Sequence, residues 1–70
     1  MKYLIVIEPT GTGFSAYSPD VPGCVSAGGT REECEANMGE AIDFDLAGLR
    51  AEGEAVPEAK SSAAFVEAIT

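Results

Sequence analysis

The side chains able to do chemistry in this 70-residue chain are two cysteines, Cys24 and Cys34, and twelve acidic residues; there is no histidine. Without an imidazole, neither a Ser-His nor a Cys-His nucleophile system can be assembled within one chain. Two thiols fall short of a four-ligand zinc site unless carboxylates or a second chain complete it, and their spacing matches no zinc or redox pattern. Both cysteines therefore read as buried small hydrophobes. Carboxylates could in principle hold a metal for nucleic-acid cleavage, and Glu8 and Asp20, at the borders of a strand and a turn, are the residues on which such a site would have to rest. The remaining acids mostly line one helix face. Gly11-x-Gly13 and Gly28-Gly29 lack the rest of a phosphate-binding loop and read as turn glycines. No enzyme, cofactor or metal site is expected.

Twelve acids against four bases give a net charge of -8. That field repels phosphate backbones and anionic membranes and favours encounter with a basic protein. The longest apolar run, Tyr3 to Ile7, falls far short of the roughly 20 residues that span a bilayer, and a lone Lys2 before it does not make a secretory signal. A soluble, cytoplasmic protein is expected. Seventy residues fit one domain, 1–70, with a core so small that pairing with another chain is a physical expectation.

The elements that must position these groups can be read in order. Lys2 to Glu8 is a short β-rich run ended by Pro9, apolar on both faces, which suggests a central strand with Tyr3, Ile5 and Ile7 on one side. Pro9 to Gly13 is a turn cluster and Gly13 to Ser18 resumes an extended pattern, predicting a hairpin. Pro19-Asp20-Val21-Pro22-Gly23 is a rigid corner: each proline fixes its own φ and pushes the preceding residue out of the helical region. Asp20 can bond backbone N–H groups, and Gly23 can reverse the chain without a Cβ penalty. Cys24 to Ala27 reads as a third strand, closed by Gly28-Gly29.

Thr30-Arg31-Glu32-Glu33 is a capping box, with Glu33 expected to reach back to the Thr30 N–H. The helix it opens should run to Gly53. At about 100° per residue, Cys34, Met38, Ala41, Ile42, Leu46 and Leu49 share an apolar arc. Glu32, Glu35, Glu40 and Asp43 lie outside it. Asp45 falls inside it, so either it meets a partner or the helix leaves the sheet before its last turns; the second is expected. Gly39 and Gly48 each cost a helix about 1 kcal/mol relative to alanine, which would suit a close approach of backbone or of a neighbouring chain. Ala64 to Ile69 could form a short helix or a strand with Phe65, Glu67 and Ile69 on one face. A fourth strand would better widen a narrow platform for so long a helix.

The run P-D-V-P-G-C-V-S-A-G-G-T-R-E-E-C-E-A-N-M-G-E-A-I, Pro19 to Ile42, closely resembles the HicB family of antitoxins. Tyr3, Glu8-Pro9, Gly13-Phe14 and Tyr17 match that family's first hairpin, and Leu46, Leu49 and Val56-Pro57 its helix end and exit, so the likeness covers most of the chain. It implies a partial ribonuclease H-like α+β fold, β-β-β-α-β, with a mixed sheet and the long helix packed on one face. It also implies an antitoxin of a type II toxin-antitoxin system, neutralising a HicA toxin, a small basic RNase that cleaves messenger RNA, by covering its RNA-binding surface and active site. Cys34 stands where the pattern usually shows alanine, and Gly39 interrupts a helix that is usually unbroken. Many HicB antitoxins continue into a C-terminal DNA-binding domain; none is expected here, so direct nucleic-acid contact is not expected either. Pro19, Asp20, Pro22, Gly23, Gly28 and Thr30 are expected to define the fold. Glu32, Glu33, Glu35, Glu40, Asp43 and Asp45 form the pool of contacts to a basic toxin. Exposed sheet edges invite strand addition, predicting a homo-oligomer, a dimer or tetramer. The alternative is a stand-alone oligomeric binding module without a toxin.

Overall fold

The computed structural model describes residues 1–70 and places three short strands before one long helix: β1 (Val6–Pro9), β2 (Phe14–Tyr17), β3 (Val25–Gly28) and α1 (Arg31–Ala51). This is the expected α+β class. The sheet is antiparallel in the order β1-β2-β3. The β1–β2 turn closes with the Thr10 N–H donating to the Gly13 carbonyl at 2.8 Å. Side chains alternate along each strand. Ile7, Phe14 and Ala16 thus turn inward to the core, whereas Val6, Tyr17 and Val25, paired across the sheet, point to the opposite face.

The core is Ala16, Val21, Cys24, Cys34, Met38, Ile42 and Leu46, with Tyr3, Ile5, Ile7, Ala41 and Leu49 packed against it. Cys34 and Met38 are completely buried, and both cysteines are free thiols. The helix stripe read from the sequence is the one the fold buries. At 21 residues, the helix is about 31 Å long, more than twice a four-residue strand. It lies closest to β3, less close to β2, and scarcely reaches β1.

Its ends are set locally. Thr30 Oγ1 accepts the Glu33 N–H at 3.1 Å, and Glu33 Oε1 accepts the Gly29 N–H at 2.6 Å. The carboxylate thus reaches one residue further back than the capping box predicts, because Gly29 still presents an unpaired donor toward the helix start. At the far end the Gly53 N–H bonds the Arg50 carbonyl and the Glu54 N–H the Leu49 carbonyl, the Schellman arrangement. Gly28 sets the distance between strand and helix. A Cβ there would lie 2.5 Å from the Cys34 nitrogen and 2.9 Å from its Cα, so β3 meets the helix backbone to backbone.

Three expectations are corrected. Leu46 is buried and Leu49 packs on the core, so the helix does not leave the body early; Asp45 is half-buried, beside Cys24. The glycines at 39 and 48 have no atoms within 4 Å of a hypothetical Cβ, so they mark no close approach within the chain. The fourth strand and the mixed sheet are not formed: residues 54–70 carry no regular structure, and Phe65, Val66 and Ile69 are fully or almost fully exposed. β1, read as central, is consequently an edge strand.

Candidate partner-binding surface

The Pro19–Gly23 corner is built from main-chain turns and from side-chain bonds of Ser18 and Asp20. The Val21 N–H bonds the Ser18 carbonyl at 3.3 Å and the Cys24 N–H the Val21 carbonyl at 3.2 Å, two consecutive turns. Gly23 takes φ of +79°, the left-handed region that other residues avoid. The buried Ser18 hydroxyl donates to the Leu4 carbonyl at 2.8 Å. Asp20, also buried, accepts from the Lys60 N–H at 3.0 Å, the Ser61 N–H at 2.8 Å and the Ser61 hydroxyl at 2.7 Å. These bonds, led by those from Ser61, hold its carboxyl below the ordinary carboxylate value. The Tyr3 hydroxyl donates to the Pro57 carbonyl at 2.6 Å. Residues 57–61 are thus strapped across the corner.

Between the strapped corner and the last turns of α1 lies an open groove of about 440 Å³, walled by Val21, Pro22, Leu49 and Pro57 and flanked by Asp45 and Glu52. Phe44, four-fifths exposed, stands on its rim, and Gly48, one turn on, leaves the floor open. No cation lines it. Asp45 sits beside the buried Cys24, and burial first, then the Asp45 charge and hydrogen bond, push that thiol's pKa up. The carboxylate thus lies near a thiol rather than against a purely apolar wall.

The structure divides the predicted acids. Asp45 lines the groove. Glu35 and Asp43 lie on the opposite flank of the helix beside β1, with Glu32 near Glu35 at its start. Glu40 is exposed, and Glu33 is engaged in the cap. They do not form one patch. Of the fold-defining set, Pro22 lines the groove, while Pro19 and Asp20 lie on the outer side of the corner with Pro57 and Lys60. Phe44 and Glu52 are groove residues that sequence reasoning does not single out. A signal for Phe44 is nonetheless present: the segment Asp43-Phe44-Asp45 places an aromatic ring outside the apolar arc. Neither Glu8 nor Asp20 belongs to a cluster of three or more groups able to hold a metal ion.

The chain matches, over residues 3–69, the family described as the HicB-like antitoxin of bacterial toxin-antitoxin systems. It belongs to the HicB-like antitoxin family. A protein of Haemophilus phage HP1, known as an uncharacterised 14.9 kDa protein of the rep-hol intergenic region, is 43% identical over 58 residues. That stretch is 83% of this chain and 44% of the phage protein, so the chain spans less than half the length of that relative. No solved structure matches. Within this member of the family no helix is long and apolar enough to cross a membrane.

Proposed function

We propose that this HicB-like chain neutralises a basic, RNA-cleaving toxin of the HicA type in the cytoplasm, by seating it against the groove between the Pro19–Gly23 corner and the end of α1. The observation that carries this reading is the combination at one place of an exposed aromatic, Phe44, an apolar wall and two carboxylates without a lining cation, in a chain of net charge -8. Aromatic anchors carry a large share of binding energy at protein interfaces. Acids around them steer a basic partner and compete with RNA phosphate for its cations. The mechanism is occlusion, and the chain performs no catalysis of its own.

The test is co-purification and binding with the product of a small basic reading frame adjacent to this one, read by calorimetry and by toxin cleavage of RNA. Affinity should fall as salt rises. Phe44→Ala should weaken binding on the order of 30-fold, about 2 kcal/mol, without moving the urea midpoint of the free protein. Glu40→Lys and Asp43→Lys should reduce affinity and its salt dependence less than Glu52→Lys, which lies in the groove. Growth rescue without a stable complex would overturn occlusion.

A further inference from the structure

The free edge of β1 and the first half of α1 leave between them an apolar trough. Its lining includes Leu4, Ile5, Val6 and Ile7 on one side and Arg31 and Glu35 on the other. Ile5 continues into a second hollow alongside Gly39, so the trough follows the strand toward its start. The run from Tyr3 to Ile7, which leads into β1, is apolar on both faces as in a strand with neighbours on both sides, yet β1 is paired on one side only. Unpaired apolar edges are positions that proteins cover or blunt; Glu8 and Pro9 do so at the far end of β1, but no proline or charge does from Tyr3 to Ile7.

The same chain carries a strand without a sheet. Ala63 and Phe65 pass the mouth of the trough, yet no residue after Ser61 makes a backbone hydrogen bond. Phe65, Val66 and Ile69 hold their side chains in solvent. The Asp20 clamp fixes where this segment departs. Its projection is visible in the dimensions: the radius of gyration is 13.9 Å and the longest extent 49 Å, against a radius of about 11 Å for a 70-residue domain. The segment's single charged residue is Glu67, and the trough presents Arg31 beside Glu35.

We infer that residues 63–69 add as a strand to the β1 edge of a second copy of this chain, and the second copy's segment adds to the first, giving a strand-exchanged homodimer. Main-chain bonds supply the pairing, and alternating side chains the register. Phe65, Glu67 and Ile69 then face the trough, while Val66 extends the outward row of Val6, Tyr17 and Val25. Each copy completes the sheet that the other lacks.

Light scattering on the full chain should give twice the 7.2 kDa monomer mass. Phe65→Glu and Ile69→Glu should each raise the dimer dissociation constant on the order of 30-fold or more. The helical signal should stay unchanged, because both side chains are exposed in the single copy. To tell exchange from closure on the same copy, isotope-labelled native chain is mixed with unlabelled chain carrying a spin label at Glu67→Cys. Broadening of the Leu4 to Ile7 amides in the labelled chain supports exchange. A monomeric native chain, a dimer indifferent to both substitutions, or broadening seen only when label and isotope share one chain overturns it.

Discussion

Asp20 grips Ser61 twice, accepting its backbone N–H at 2.8 Å and its hydroxyl at 2.7 Å across forty-one residues of sequence. This pairing ties the corner between β2 and β3 to the segment leaving the helix. Because the bonds favour the ionised carboxylate, its pKa is lower folded than unfolded. The unfolded chain then binds more protons than the folded one, so the stabilisation is complete above the unfolded value and is lost as pH falls through the folded one. Below about pH 4, protection of the Lys60 and Ser61 amides, relative to their intrinsic exchange rates, should fall before that of the α1 amides. Asp20→Asn should show fast exchange at these two positions at neutral pH and flatten the acid dependence. Unchanged protection in the variant would remove the clamp from the account.

Cys24 behaves in the opposite sense. Burial and the nearby Asp45 raise its pKa above the free-thiol value of 9.0, so the folded state retains a proton that the unfolded state gives up. Stability is whole below that value and declines as pH rises past it, through the folded pKa. Urea midpoints of native protein and Cys24→Ala should therefore converge in alkaline solution from a gap at neutral pH. The thiol should also react with alkylating reagents only as fast as the fold opens.

Gly28→Ala should be among the most damaging single changes. The added carbon would lie against the backbone nitrogen and Cα of Cys34, which cannot swing aside as a side chain end could. Overpacking of this kind costs roughly 1–3 kcal/mol, in a domain whose whole stability is on the order of 3–10 kcal/mol. The urea midpoint should fall accordingly. Gly39→Ala, at a helix position with open space, should raise the unfolding free energy by up to about 1 kcal/mol.

The elements legible in the sequence are those fixed by neighbours along the chain. Thr30 and Glu33 announce the helix start, and the spacing from Cys34 to Leu49 announces its buried face, since both depend on local geometry alone. The turns at Pro19 to Gly23 follow from φ restrictions that travel with the residues. Pairing is different. Leu4 to Ile7 and Phe65 to Ile69 have strand composition whether the partner is close in sequence, distant or absent, so composition cannot place β1 at an edge or leave the last segment unpaired. The surroundings of Asp45 are equally hidden, because helix angles locate a residue on an arc without saying what lies opposite; here it is a thiol. The groove has no sequence signature because its walls come from four stretches, around Val21, Phe44, Glu52 and Pro57, that no single window joins.

Pro57 belongs to two structures at once: its carbonyl receives the Tyr3 hydroxyl, and it lines the groove beside α1. Any ligand of that groove therefore meets Pro57 where the Tyr3 hydroxyl holds it. A ligand that prefers the closed form tightens the latch by the same factor that the latch tightens the ligand. The phenol ring of Tyr3, on a residue that lines no part of the groove, is in this sense an adjustable screw on affinity.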